Sequence, residues 1–552
     1  MRDKLTHILQ VLTPGERRKF WIQIMLSIFI SIADVASLAF LLFVINFYIT
    51  GVGKTVDFLP RWILDKDSVA LISVFFIIFS IKNLLGILIS NAQHRFTGHV
   101  AMRISQQKLD NYLHGDYSEF VNIDSAGHLR KIAFQPFEFC QHILSGIQQI
   151  LIQSFLILFT VAAILIYNAQ LFVLLLVVLF PPVLIVFFYI KRKLLTRKQS
   201  IQFHNERSYQ YLLDALRGYI EAGIYQRRDF FHNRFTGARN IFSKNLFESL
   251  ALQAIPNRII ETFAVLGLFV LILVVKWANI NDSSTLITIG AFMAAAYKII
   301  PGVVKVINAA GQMRAHGFSF AELQTQLKPP GSHVNTTDPI RSLELKGVDF
   351  QYNGQPVLSN FSLQMGRGDF LGITGKSGKG KTTVFNLILG FLSPLSGNVV
   401  INDKAATSDE LKIHWPQISY VRQESFLIHD SILRNITLQE NGYDQPALKE
   451  AIKISGLTDL IDQSPDGINK VITESGKNIS GGQQQRVAIA RALYKHADLI
   501  LLDEPFNELD ESSADQLARH FKQLAAGGKM VIMITHDSKS LDYCNKIISL
   551  DE

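Results

Sequence analysis

Phe370–Leu389 reads FLGITGKSGKGKTTVFNLIL. An apolar strand pattern runs into a glycine-rich loop, and the loop opens an apolar helix. Gly375, Gly378 and Gly380 free the backbone N–H groups to curl around a phosphate chain, and the helix N-terminus faces that anion. Lys381 supplies a point charge for the terminal phosphates, and the Thr382 hydroxyl supplies a magnesium ligand. Lys376, Ser377, Lys379 and Thr383 complete the loop as candidate nucleotide contacts, although a solvated charge is the favoured reading of Lys379. Strand, loop and helix around GxxxxGK[ST] together predict a P-loop nucleotide site on an α/β domain.

Downstream, Ala497–Pro505 reads ADLILLDEP, an apolar run suited to a parallel strand buried on both faces. Asp503 at its tip suits magnesium, and Glu504 is placed to polarise an attacking water. A third strand pattern, Met530–Thr535, ends at His536, positioned to hydrogen-bond the terminal phosphate. Between them lies NISGGQQQR, Asn478–Arg486, in which Ser480, Gly481 and Gly482 open a helix as a second anion-binding nest. One chain already carries its own phosphate loop, so this nest calls for a nucleotide held by a second copy.

Charge divides the chain around this domain. Residues 343–552 carry a net charge of −5, whereas residues 1–342 are apolar and carry +13. Trp21–Thr50 holds one charge, Asp34; Val69–Ser90 holds one, Lys82; Gln149–Ile190 holds none over 42 positions, enough for two membrane crossings that turn near Asn168–Gln170. With Thr262–Val275 and Ser283–Tyr297, each extended by polar helix, six spans are expected. Basic clusters at Arg17–Lys19 and Lys191–Lys198 flank the spans. The loops assigned outside balance Lys54, Arg61, Lys66 and Lys276 against Asp57, Asp65, Asp67 and Asp282. Both termini are therefore expected in the cytosol of a multi-pass protein of the cell (plasma or inner) membrane. The first span is too long for a signal-peptide core and reads as an uncleaved anchor. The basic excess reports topology, so no nucleic-acid partner is expected. Asn91–Gln148 and Lys191–Phe247 read as helical hairpins reaching into the cytosol, turning near Asp116–Phe120 and Gly223–Phe230. A helix over Ala315–Leu327 and the linker Lys328–Gly331 follow. Two cysteines, Cys140 and Cys544, offer neither a disulfide scaffold nor a metal knuckle.

The second domain resembles the ATPase of the ABC transporter superfamily, in the family's motif order. GKSGKGKTT is similar to Walker A, Gln423 in VRQESF to the Q-loop, ISGGQ to the signature and LILLDEP to Walker B. Asn507–Asp510 stands as the D-loop and His536 as the switch histidine, and Glu474 in TESG resembles the X-loop of exporters. The resemblance implies ATP and Mg2+. It places Tyr352 of FQYNG on the adenine and Gln423 beside the magnesium and the attacking water. It also places Ser480, Gly481, Gly482, Gln483 and Asp510 on the nucleotide of a partner copy. Arg422 where the family commonly has proline, and PFNELD in place of ATSALD, depart from the pattern without removing a catalytic group. The expected chain is multidomain: an all-α six-helix transmembrane domain (1–327), a linker (328–342) and an α/β P-loop ABC ATPase domain (343–552). An ATP-hydrolysing exporter half-transporter, working as a homodimer, is the implied activity. An ATP-gated channel or sensor on the same scaffold is the alternative of another class.

For the cargo, charges inside the membrane single out Asp34, Lys82, Lys298 and Lys305; the last two, seven apart, share a helix face. They form either a basic cavity for an anionic headgroup or, in Asp34–Lys82, a structural pair. Asp34 in SIADVASLAF, Lys82–Leu85 and Tyr297–Pro301 (YKIIP) resemble the lipid-linked oligosaccharide flippases of bacterial protein glycosylation, as does an interfacial helix over Val56–Leu64 anchored by Trp62. The resemblance implies an amphipathic, lipid-linked and glycan-bearing substrate drawn from membrane lipid, with peptide or drug efflux as the alternative.

Overall fold

The computed structural model describes residues 8–50, 68–115, 117, 125–167, 169–277, 284–316 and 338–551. The chain divides into two compact units, one of Met1–Gly115 with Glu119–Pro330 and one of Gly331–Glu552, with which Asp116–Ser118 groups.

The first unit is helical. Its long helices, numbered in chain order, are α1 (Pro14–Thr50), α2 (Ala70–Leu113), α3 (Ser145–Tyr167), α4 (Ala169–Arg217), α5 (Arg228–Trp277) and α6 (Ser284–Ala315). Among the described residues, five helices are long and apolar enough to cross a membrane: Pro14–Tyr48, Ala70–Leu113, Ala126–Ile166, Arg228–Leu273 and Ile289–Arg314. The sixth expected span falls on α4, which opens directly after Asn168 and contains Pro181 and Pro182. Each helix outlasts the ~20 residues a bilayer requires, so the polar stretches between apolar runs are continuations of the same helices rather than loops. The second hairpin breaks at Gly218 and again at Tyr225–Arg227, with the short helix Tyr219–Ile224 between. Ahead of α3 the helix is irregular: π-helical segments Arg130–Phe134 and Phe139–Leu144 flank the turn that carries Pro136. Proline lacks the N–H and crowds the preceding turn, and the ladder widens on either side of it. Helix α6 runs to Ala315 within the described residues. The expected continuation to Leu327, the 328–331 linker, the Val56–Leu64 helix and most of the outside loop charges lie outside the described residues.

Among the described residues, a small apolar cluster of Val44, Phe47 and Leu71 and two large ones hold this unit. One gathers Phe20 and Ile24 of α1, Phe96, Val100 and Ile104 of α2, and Phe139, Ile143 and Leu144. The other joins Ile164, Ile260, Leu271, Phe292, Ala295 and Ile299. Small residues permit close approach: a Cβ on Gly267 of α5 would stand 2.7 Å from Val178 and 2.9 Å from Phe292.

The second unit is α/β. Strands β1 (Ser342–Tyr352), β2 (Gln355–Gly366), β4 (Ser396–Ile401) and β5 (Lys404–Ala406) form an antiparallel sheet ordered β2-β1-β4-β5. Strands β3 (Phe370–Thr374), β6 (Ile418–Val421), β9 (Leu499–Asp503), β10 (Met530–Ile534) and β11 (Lys546–Ser549) form a parallel sheet ordered β11-β3-β10-β9-β6. Asp430–Ser431 (β7) and Val471–Ile472 (β8) make a short antiparallel pair. Side chains alternate across the parallel sheet. Leu499, Leu501, Ile532 and Ile534 enter one core with the antiparallel sheet and helix α7 (Lys381–Ile388). Ile500, Leu502, Val531 and Met533 enter another with α8 (Gly481–Tyr494) and α9 (Glu511–Ala526). β9 and β10 are buried along their whole length, which their unbroken apolar runs require.

Candidate active site

Four adjacent parallel strands, β3, β10, β9 and β6, deliver their carboxyl ends to one edge of the sheet, where open α/β folds bind ligands. β3 leads into Gly375–Gly380, and Gly380, at φ +91°, caps α7. The left-handed backbone favours glycine there, and a Cβ would also crowd a Val357 methyl at 2.7 Å. Lys381, 8% exposed, turns its ammonium back over the loop and donates to the carbonyls of Gly375 (2.6 Å) and Lys376 (3.2 Å). Lys376, Ser377 and Lys379 are exposed, Thr383 is buried, and the Lys376 N–H donates to Asp551 Oδ1 at 3.0 Å.

At the end of β9, Asp503 is 4% exposed and accepts from the Thr382 hydroxyl at 3.3 Å and from Tyr420 OH at 3.4 Å. Burial pushes its carboxyl above the ordinary range, and the neighbouring Glu504 charge adds to this. Glu504 takes a left-handed backbone, φ +48°, with its N–H donating to Ile534 O at 2.9 Å. Its carboxylate receives Gln423 Nε2 at 3.0 Å and Asn507 Nδ2 at 2.6 Å, both on Oε2. Oε1 faces His536 Nε2 at 3.3 Å. The same His536 nitrogen lies 2.9 Å from Lys381 Nζ. The chain therefore brings Lys381, Thr382, Gln423, Asp503, Glu504 and His536 into one cluster.

Ser480–Gln483 lies at the N-terminus of α8. Ser480 caps the helix by accepting from Gln483 N at 3.2 Å, while Gln483 Oε1 accepts from Ser480 N at 3.0 Å. Gly481 and Gly482 lie against Glu508. Asp510 caps α9; hydrogen bonds from Ser513 and Ser512 hold its carboxyl well below the usual range. Tyr352, at the end of β1, is 46% exposed and edge-on to Phe350 at 4.8 Å. In the helical unit, Asp34 Oδ1 accepts from Lys82 at 2.5 Å and pairs ionically with Lys298 at 3.2 Å, joining α1, α2 and α6. Asp34, Lys298 and Lys305 line one cavity of about 490 Å3 with Gln93, Gln149 and Tyr297.

Tyr420 and Asn507 take places at the cluster that sequence reasoning did not assign. Tyr420 stands beside Leu501 only because β6 pairs with β9, a neighbour 78 residues away in the chain. Asn507 is legible only as the opening of the D-loop, and nothing in its type announces an acceptor three residues back.

Comparison with known proteins agrees with this architecture. Residues 20–296 match the family described as the ABC transporter transmembrane region, and residues 358–507 match the family described as ABC transporter. A Rickettsia conorii protein whose name describes export, ATP binding and a permease is 37% identical over 222 residues, 40% of this chain and 38% of that protein. The ATP-dependent lipid A-core flippase of Neisseria meningitidis serogroup B is 30% identical over 298 residues, 53% of this chain and 48% of the flippase. The chain thus spans about two fifths to half the length of these curated relatives. A bacterial Atm1-family ABC exporter with ATP bound has the same fold, with a TM-score of 0.76 at 18% identity over 98% of this chain and 94% of that one. A helical membrane-spanning region followed by an α/β ATP-binding domain, each matched by its own family, makes this chain a member of the ABC transporter family.

Proposed function

We propose that the chain is an ATP-driven exporter half-transporter that hydrolyses ATP as a homodimer. In this reading it moves an amphipathic, lipid-linked substrate from the cytosolic to the outer side of the cell membrane, with both termini cytosolic. The domain limits that go with it are 1–327, 328–342 and 343–552. The observation that carries the reading is the meeting of Lys381, Thr382, Asp503, Glu504 and His536 at one sheet edge.

The residues fit a magnesium nucleotide. Thr382 and Asp503 offer a hydroxyl and a carboxylate 3.3 Å apart, a small protein share that suits an ion otherwise held by phosphates and water. A Cβ on Gly378 would meet nothing within 4 Å, so the loop is open on that side. Bound Mg2+ would neutralise charge on the phosphates. Gly375–Gly380 and Lys381 then hold the phosphate chain and Tyr352 stacks on the base. Glu504 takes a proton from the attacking water, and His536 steadies the terminal phosphate. Gln423 serves the metal and the water, while Ser480–Gln483 and Asp510 of the second copy close over the nucleotide. The water oxygen joins the terminal phosphorus and the bond to ADP breaks.

The lipid-linked cargo is supported by the cavity lined by Asp34, Lys298 and Lys305, where two lysines share the wall with one carboxylate and leave it net positive. The test is mass spectrometry of lipids copurifying with the Glu504→Gln protein, beside its ATPase rate. The expected result is retained ATP binding, near-abolished turnover and an enriched anionic lipid-linked species. Wild-type turnover would sink the ATPase assignment, and a bound peptide in place of lipid would sink the cargo.

A further inference from the structure

The hydrogen bonds around Glu504 are shared unevenly between its two oxygens. Gln423 and Asn507 both donate to Oε2, at 3.0 and 2.6 Å, and fill its two lone pairs. Among the described residues, Oε1 faces only the His536 ring nitrogen, 3.3 Å away and already engaged by Lys381 at 2.9 Å. The two amides differ in origin. Gln423 follows β6, another strand of the sheet, whereas Asn507 lies three residues beyond Glu504 in its own loop, closed by the Leu509 N–H to Phe506 O bond at 3.0 Å. The backbone of Glu504 is pinned to β10 through Ile534, so strand and loop together fix the two ends of the side chain. In ATSALD, the usual family sequence, serine stands at the place of Asn507, with a shorter arm and a hydroxyl instead of an amide.

We propose that Asn507 is a positioning residue for ATP hydrolysis: its amide ties down Oε2 of Glu504 and turns Oε1 toward the attacking water. This rests on the reading of Glu504 as the base. Asn507 itself touches no reacting atom and acts through the carboxylate it holds. A donor to a charged group is worth enough that its loss releases the carboxylate to other rotamers.

The test uses the full-length chain. Asn507→Ala lowers kcat roughly tenfold or more and leaves KM for ATP within about twofold, because the lost contact serves the transition state and not nucleotide binding. Asn507→Ser, which keeps a donor, retains more turnover than Asn507→Ala. Asn507→Asp sets a second carboxylate against Oε2, lowering kcat further and lowering the melting temperature without nucleotide. Adding Glu504→Gln to Asn507→Asp restores that melting temperature, since an amide again faces a carboxylate. Asn507→Ala turning over at the wild-type rate, or losing ATP affinity while keeping kcat, overturns the proposal. So does an Asn507→Asp melting temperature that Glu504→Gln leaves unmoved. Inactive Glu504→Gln beside fully active Asn507→Ala removes this inference alone. Active Glu504→Gln removes the assignment of Glu504 and this inference with it.

Discussion

Asp34 shows how much one side chain carries in the helical unit. Its Oδ1 forms ion pairs with two lysines on two different helices, and Lys82, 7% exposed, also lies 4.2 Å over the Phe79 ring. Removing the carboxylate strands the buried Lys82 ammonium and leaves Lys298 without its counter-ion. Asp34→Ala is expected to lower stability by roughly 3 kcal/mol, the scale for breaking a buried pair, read as a lower melting temperature in detergent. Asp34→Ala with Lys82→Met recovers most of the loss. A single mutant that melts like wild type would show that the pair holds nothing together. The four membrane charges stand out in the sequence because charge is costly in hydrocarbon. The sequence offers the Asp34–Lys82 pair as one reading; that Lys298, 264 residues from Asp34, joins it is not written there.

At the scale of elements, strand–loop–helix and strand–carboxylate patterns are local. Backbone geometry within ten residues sets Gly380, Lys381 and Asp503, so their arrangement is legible from the chain. The N-terminus of α8 is half legible: SGG predicts a helix opening, but what leans on it is a tertiary matter. A Cβ on Gly482 would stand 2.7 Å from the backbone oxygen of Glu508, whereas one on Gly481 would meet the end of the Glu508 side chain at the same distance. Backbone cannot step aside and a side chain can. Gly482→Ala is therefore expected to lower ATP turnover roughly tenfold or more, the price of displacing a positioning loop. Gly481→Ala has the smaller effect, and Glu508→Ala relieves it without rescuing Gly482→Ala. Equal losses in the two alanine variants, measured as steady-state ATPase rates, would contradict this contact.

At the scale of the whole molecule, the proposed homodimer would set the P-loop of one copy against the signature nest of the other. The chain has two native cysteines, Cys140 and Cys544, so a cysteine-free background is simple to make. With Ser377→Cys and Glu508→Cys in the Glu504→Gln protein, ATP is expected to drive disulfide-linked dimers on a non-reducing gel. Linkage independent of ATP, or none despite bound ATP, would count against the composite site. By itself the sequence determined the two-part plan and the motif residues. Hydropathy over a bilayer's thickness and the anion geometry of a P-loop are properties of contiguous chain. Only the tertiary structure decided that Tyr420 reaches Asp503, that Asn507 holds Glu504 and that Lys298 shares Asp34 with Lys82. Those contacts depend on the β3-β10-β9-β6 order and on helix pairing, which bring distant residues together through packing and leave no periodic trace along the chain.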